Sequence, residues 1–128
     1  MRPIRFRAWD KGKKCWYQGP FLVAGNGQVF IEHFILHEGL EVVQYTGLED
    51  KNGREIYEGD IVKYWDSYQM WLPAVVSYVS GCFCLTRESW EGDEIFLCDL
   101  EEMNGLCVGI EVIGNIYENP DLIPKHLP

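Results

Sequence analysis

The stretch that decides the fold reads Asp50-Lys51-Asn52-Gly53-Arg54-Glu55-Ile56-Tyr57-Glu58-Gly59-Asp60-Ile61-Val62. Asn52 and Gly53 are among the strongest short-range turn signals, because both residues tolerate the left-handed backbone that a tight hairpin turn requires. Gly59 before Asp60 predicts a second bend, whose Asp side chain accepts hydrogen bonds from nearby backbone amides. Strand-forming residues follow each turn, so the segment indicates turns and strands.

Working outward from this segment, alternating or β-branched stretches predict further short strands on both sides. The first four of them predict two N-terminal β-hairpins, the second around the glycine turn at 25–27. Pro73 predicts an edge position or a bulge, since proline cannot donate a ladder hydrogen bond. Residues 99–105 fit either a single helical turn or a loop. The candidate strands are residues 4–9, 15–17, 21–24, 28–36, 41–45, 61–65, 71–79, 82–86, 95–97 and 107–116.

The composition supports a folded, mainly β chain. A length of 128 residues, 47% of them hydrophobic and 14% aromatic, is sufficient for a real core. No stretch approaches the roughly 20 apolar residues that span a bilayer, and no signal-peptide core follows the first residues. The five cysteines lack the dense spacing of a secreted disulfide framework. We therefore expect a cytoplasmic protein with free thiols and no membrane association.

Charge is distributed unevenly along the chain. Residues 1–20 carry six cations against Asp10 alone, a net charge of +5, which leaves −14 for the remainder of a chain whose total is −9. A basic segment of this kind attracts phosphates. The alternative is that these cations pair with the acidic surface of the protein itself or of a neighbouring subunit, and we favour it because the background is so acidic. The candidate nucleic-acid contacts are Arg2, Arg5, Arg7, Lys11, Lys13 and Lys14.

The carboxylates near the central turn raise the question of a cation site. Asp50, Asn52 and Glu55 do not complete the spacing of a calcium loop, and turn chemistry explains them without a ligand. We therefore predict that Asn52 and Gly53 make the hairpin turn and that Asp60 caps a bend.

The cysteines and histidines of the chain raise the question of a metal site. Four thiols could make a zinc site, but the paired C-x2-C knuckles of structural zinc sites are missing, so buried apolar cysteines are the favoured interpretation. His33 and His37 lack the glutamate between them that a zinc protease motif requires. We predict no metal, no cofactor and no catalytic residues. The four thiols considered are Cys82, Cys84, Cys98 and Cys107.

Three segments of the chain form a recognisable pattern, and their order spans nearly its whole length. The segments are Arg2-Pro3-Ile4-Arg5-Phe6-Arg7-Ala8-Trp9-Asp10, then Gln44-Tyr45-Thr46-Gly47-Leu48-Glu49 leading into the stretch quoted first, and Glu111-Val112-Ile113-Gly114-Asn115-Ile116-Tyr117-Glu118-Asn119-Pro120. Together they resemble the YopX family of bacteriophage and prophage proteins. The resemblance implies a small β protein whose residues 44–128 form an SH3-like barrel with an irregular C-terminal tail, preceded by a hairpin region at 1–43. The family is functionally uncharacterised, so no site residues carry over.

These observations predict a non-enzymatic phage accessory protein that binds a host or phage protein, either as a single copy or as a homo-oligomer. The alternative is a nucleic-acid-associated protein that uses the basic N-terminal hairpin with the interleaved Phe6 and Trp9. A third hypothesis is a nucleic-acid mimic that acts through its acidic body. Sequence alone names neither the partner nor the oligomeric state.

Overall fold

The computed structural model describes residues 4–65, 71–87, 94–101 and 105–122. Short strands dominate these residues, which confirms the prediction of a mainly β chain. No helix among them is long and apolar enough to cross a membrane. The strands are β1 (Phe6–Asp10), β2 (Cys15–Trp16), β3 (Leu22–Val23), β4 (Val29–Ile31), β5 (Ile35–Leu36), β6 (Leu40–Glu49), β7 (Glu55–Tyr57), β8 (Asp60–Trp65), β9 (Trp71–Val79), β10 (Cys82–Thr86), β11 (Ile95–Phe96) and β12 (Ile110–Asn115). Three 3-10 turns accompany them, namely η1 (Glu32–Phe34), η2 (Leu97–Leu100) and η3 (Pro120–Leu122).

The chain divides into two compact units. Phe6–Val43 form the N-terminal unit, and the described residues from Gln44 onward, together with Arg5, form the C-terminal unit. Strand β6 begins in the first unit and ends in the second.

The N-terminal unit contains the first hairpin that the sequence predicts. β1 and β2 are antiparallel, with Trp9 opposite Trp16, and the backbone N–H of Lys11 donates to the carbonyl of Gly39 just before β6. The small core of this unit consists of Ala8, Val29 and Leu40. The buried apolar cluster of this unit is therefore small.

A three-stranded antiparallel sheet, in the order β3-β4-β5, completes the N-terminal unit. The sequence predicts one continuous strand over residues 28–36, but the structure has two strands separated by η1. His33 and Phe34 adopt positive φ angles of 63° and 58° there, which reverses the chain. The polar pair at Glu32 and His33 interrupts the apolar run, and this interruption is the local reason for a second turn.

The C-terminal unit is built around a five-stranded antiparallel sheet in the order β11-β10-β9-β8-β12. One face of this sheet packs on a cluster of fully buried aliphatic residues that includes Val62, Leu85 and Ile110. Ile56 of β7 and Leu97 of η2 contribute to the same cluster. Burying such side chains stabilises the fold by about 1.5–3 kcal/mol each.

The hairpin of β6 and β7 joins this sheet through individual backbone bonds. The N–H of Gly59 donates to the Val76 carbonyl at 2.8 Å, and the N–H of Cys107 donates to the Glu49 carbonyl at 2.8 Å. Among the described residues these contacts are separate bonds and one isolated bridge rather than a continuous ladder, so no closed barrel is seen in this part of the chain. The arrangement is a small sheet-rich fold in which a hairpin covers the core.

Pro73 lies in β9, which has β8 on one side and β10 on the other in the sheet. It is paired with Lys63 of β8, whereas the pairing of β9 with β10 extends only from Val75 to Val79. At Pro73, β9 therefore has a ladder partner on one side only among the described residues. This agrees with the physical requirement that proline occupy a locally unpaired edge.

Candidate functional site

The six cations of the N-terminal segment are the first candidate site, and Arg2 lies outside the described residues. Arg5 belongs to the C-terminal unit, where its guanidinium forms an ion pair with Glu55 and lies 5.8 Å from the Tyr45 ring centroid. Burial raises the pKa of the nearby Tyr45, and the charges of Glu55 and Glu49 raise it further, whereas the charge of Arg5 lowers it. Arg5 is therefore engaged within the protein.

The remaining candidate cations lie in the N-terminal unit. The guanidinium of Arg7 stacks over the Trp16 ring at 4.3 Å, and the Lys11 ammonium lies 3.7 Å from Glu41. Lys13 and Lys14 are exposed in the β1–β2 turn. Two of these four cations are thus held against residues of their own unit.

The aromatic residues interleaved with these cations differ in accessibility. Trp9 is buried and meets Trp16 edge to face, with ring centroids 5.1 Å apart. Phe6 is 46% exposed. Base stacking requires an open aromatic face, and of Phe6 and Trp9 only Phe6 offers one.

The carboxylates of the central segment are structural in this arrangement. Oδ1 of Asp50 accepts hydrogen bonds from the N–H groups of Asn52 and Arg54, both at 2.9 Å, and Oδ2 accepts one from Val112 at 2.9 Å. Oδ2 of Asp60 accepts one from the N–H of Tyr57 at 2.8 Å. Both side chains are buried. Their hydrogen bonds to nearby backbone amides are those that turn chemistry predicts.

The thiols differ in burial, and His37 is held by its own turn. Cys84 and Cys107 are buried, whereas Cys82 and Cys98 are exposed. In the described ranges, no group of three or more His, Cys, Asp or Glu side chains is placed to share a metal ion. Nδ1 of His37 accepts a hydrogen bond from the N–H of Gly39 at 3.1 Å, so this imidazole has a structural role within its turn.

An apolar surface on the three-stranded sheet is the site that sequence analysis missed. The register places Leu22 opposite Phe30 and Phe30 opposite Leu36, so these three side chains form a row on one face. Val29, the neighbour of Phe30 along β4, points to the other face and is buried in the small core. The row therefore faces away from that core, on the side of a sheet where polar residues are the norm.

Phe34 extends this row at the tip of the β4–β5 connection and is 79% exposed. A cavity of about 240 Å³ lies against Leu22, Phe30 and Phe34. We call Leu22, Phe30, Phe34 and Leu36 the apolar patch. Val23 and Ile35 are also exposed, but the register pairs them with Val29 and Ile31, so they lie on the opposite face of this sheet.

The backbone at the tip of the apolar patch is strained. His33 and Phe34 both have positive φ, a region that costs non-glycine residues of order 1 kcal/mol each. Strain of this kind concentrates at ligand clamps and other functional sites. A strained turn that holds an exposed phenylalanine is therefore a stronger indication of function than exposure alone.

The chain matches the family model described as YopX protein over residues 5–124. Among solved structures, it is similar to protein EF1440 from Enterococcus faecalis, with 25% identity and a TM-score of 0.63, covering 96% of this chain and 99% of that one. It is also similar to protein yopX from Bacillus subtilis, with 20% identity and a TM-score of 0.65, again covering 96% and 99%. No curated protein matches it. These structures share its fold.

Proposed function

This chain belongs to the YopX family, and we propose that it is a non-enzymatic protein-interaction module that binds a partner protein through the apolar patch of its N-terminal unit. The observation that carries the proposal is the outward row of Leu22, Phe30 and Leu36, with Phe34 held open by a strained turn. Contiguous exposed apolar surface on a soluble domain marks interaction sites. Buried aromatic anchors supply most of the affinity at such interfaces.

The charge of the N-terminal unit indicates the kind of partner. Residues 6–43 contain four Lys or Arg and four Asp or Glu, a net charge of zero, so the rest of the chain carries the full −9. The neutral unit itself favours no charge in a partner, whereas the acidic remainder of the chain would repel a strongly acidic one. The partner we propose is a protein with an apolar surface that is not strongly acidic, encoded by a phage or by its bacterial host and met in the cytoplasm.

Nucleic-acid association is the weaker candidate. Arg5 and Lys11 are paired with carboxylates, and Arg7 stacks on Trp16. Phosphate binding would have to compete with these interactions, and of the candidate cations that the structure describes it would depend mainly on Lys13 and Lys14.

The experiment compares three versions of the full tagged chain in affinity capture from infected or lysogenic cells. They are the unmodified protein, the patch variant Phe34→Ser with Leu36→Ser, and the control Val108→Ser. Val108 is 45% exposed in the C-terminal unit, so its substitution removes exposed apolar surface elsewhere. We expect the unmodified chain and the control to retain the same partner and the patch variant to recover at least roughly tenfold less of it.

Equal recovery with all three versions would contradict the proposal, as would repeated captures that return only the bait. Light scattering during size exclusion adds a second readout. A dimer that the patch variant alone disrupts, without any other captured protein, would assign the patch to self-association and overturn the proposed partner.

A further inference from the structure

A second cavity, of about 550 Å³, lies in the C-terminal unit beside β6, the β9–β10 turn and η2. Two thiols line it, Cys82 at the start of β10 and Cys98 in η2. Both are free and exposed. Neither takes part in the proposed partner binding, which uses the other unit.

The strand register brings β11, and the turn that follows it, next to β10. β10 and β11 are antiparallel, with Leu85 opposite Ile95 and Cys84 opposite Phe96. The ladder ends there, because Leu97 begins the 3-10 turn η2, but Phe83 and Leu97 both contact the same buried core cluster. Core packing thus holds the start of η2 against β10.

Cys82 and Cys98 are the next residues beyond Phe83 and Leu97, and both line the same cavity. A disulfide joins Cα atoms roughly 4.4–6.8 Å apart, a separation that residues of two packed neighbouring elements can reach. We propose that Cys82 and Cys98 are a redox modification site that forms a reversible intramolecular disulfide with a small-molecule disulfide as oxidant.

The exchange balances in two steps. The Cys82 or Cys98 thiolate attacks one sulfur of the oxidant, forming a mixed disulfide and releasing one small-molecule thiolate, which takes up a proton. The second cysteine, as its thiolate, attacks the protein sulfur of the mixed disulfide and releases the second small thiol. Two electrons pass from the protein dithiol to the oxidant, and the two protein thiol protons end on the two released thiols.

Accessibility and the cavity lining distinguish this pair. Cys84 and Cys107 are buried, so the oxidant reaches them poorly, and Cys15 is exposed but does not line this cavity. The bond would fasten η2 to the start of β10 beside the cavity. It would also close the loop between the two cysteines and so constrain the unfolded chain.

The test incubates the full reduced chain with oxidised glutathione at mildly alkaline pH, followed by intact-mass and peptide mapping. We expect Cys82 and Cys98 in one linked peptide pair, lighter by two hydrogen atoms than the two reduced peptides together, whether or not the exposed Cys15 carries a separate glutathione adduct. Its thermal midpoint should rise by roughly 5 °C or more. Dithiothreitol should reverse both changes.

Matched variants decide the assignment. Cys15→Ser should still form the linked product, whereas Cys82→Ser and Cys98→Ser should each stop at a glutathione adduct on the remaining cysteine. Stable glutathione adducts on both cysteines of the unmodified chain would overturn the proposal. So would a linked pair that includes Cys15, Cys84 or Cys107.

Discussion

The buried carboxylate of Asp50 accepts a hydrogen bond from the backbone N–H of Val112, which lies 62 residues further along the chain. The same carboxylate organises the Asn52-Gly53 turn through the N–H groups of Asn52 and Arg54. One side chain thus connects the central turn of the family pattern to the last strand of the sheet.

Replacing Asp50 by Ala should destabilise the C-terminal unit by about 3 kcal/mol or more, because three backbone donors lose their acceptor and at least one of them is buried. Urea denaturation measures the loss. The control is Asp99→Ala, an exposed aspartate of the same unit, for which a change within about 0.5 kcal/mol is expected. A loss below about 1 kcal/mol for Asp50→Ala would show that water replaces the carboxylate.

Gly114 of β12 lies against Asn119, whose Oδ1 would be 2.5 Å from an added Cβ. The same Oδ1 accepts a hydrogen bond from the N–H of Asn115 at 3.2 Å. Gly114→Ala should therefore lower stability by roughly 1–3 kcal/mol through displacement of the Asn119 side chain. Gly109→Ala is the matched control, since nothing lies within 4 Å of a Cβ at Gly109. Equal midpoints of denaturation for the two variants would refute this account.

His33→Gly should raise the stability of the N-terminal unit by up to about 1 kcal/mol, because glycine adopts a φ of 63° without strain. Glu32→Gly, one residue earlier and without positive φ, should instead lower stability by roughly 0.5–1 kcal/mol. Thermal denaturation of both variants shows whether the first gains stability and the second loses it. If both variants lost stability equally, the strain assigned to this turn would be absent.

Asp10 should make the N-terminal unit sensitive to acid. The backbone N–H of Lys13 is the largest influence and lowers the pKa of Asp10 below its usual 3.8; burial opposes this, and the N–H of Gly12 and the charge of His37 lower it further. A carboxyl whose pKa is lower in the folded state stabilises that state above pH 3.8, and the stabilisation disappears as pH falls through the folded pKa.

The comparison is between the unmodified chain and Asp10→Asn over the range from neutral pH to pH 2. The thermal midpoint of the variant should be lower at neutral pH, and the two curves should converge below about pH 4. Asp99→Asn serves as the control. Curves separated by a constant amount at every pH would mean that Asp10 does not act through its charge.

The five thiols should fall into two reactivity classes under native, reducing conditions. Burial raises the pKa of Cys107 to about 11, with smaller contributions from Glu101 and Asp50, and burial also raises the pKa of Cys84. Alkylation by iodoacetamide requires the thiolate, so these two should remain unmodified while Cys15, Cys82 and Cys98 react. Peptide mass spectrometry after short labelling measures this. Labelling of Cys107 at the rate of Cys15 would contradict its burial.

The sequence predicted those features that local backbone geometry determines. The turn at Asn52-Gly53 and the bend at Asp60 follow from residues that lie next to each other in the chain. The strand pair around Gly81 follows from period-2 alternation and a glycine with φ of 82°. These elements depend on their neighbours alone, which is why a pattern can identify them.

The features that depend on distant residues could not be predicted in this way. The bond from Asp50 to Val112 depends on how two segments pack, and no local pattern encodes that packing. The apolar patch was missed for a related reason. Leu22, Phe30 and Leu36 resemble ordinary core positions until the structure shows which face of their sheet is covered. Interruption of an apolar run by Glu32 and His33 was the one local signal for the turn beneath Phe34.

The pairing of β8 with β12 has a consequence for synthesis on the ribosome. Lys63 is paired with Glu111, and the intervening chain must be translated before this edge of β8 obtains its partner. At bacterial rates of roughly 5–20 residues per second, the delay is on the order of 2 to 10 seconds. During that time β8 presents an unpaired edge, which is the kind of surface that chaperones bind and that aggregation begins from. The yield of folded protein should therefore respond to translation speed between these two strands.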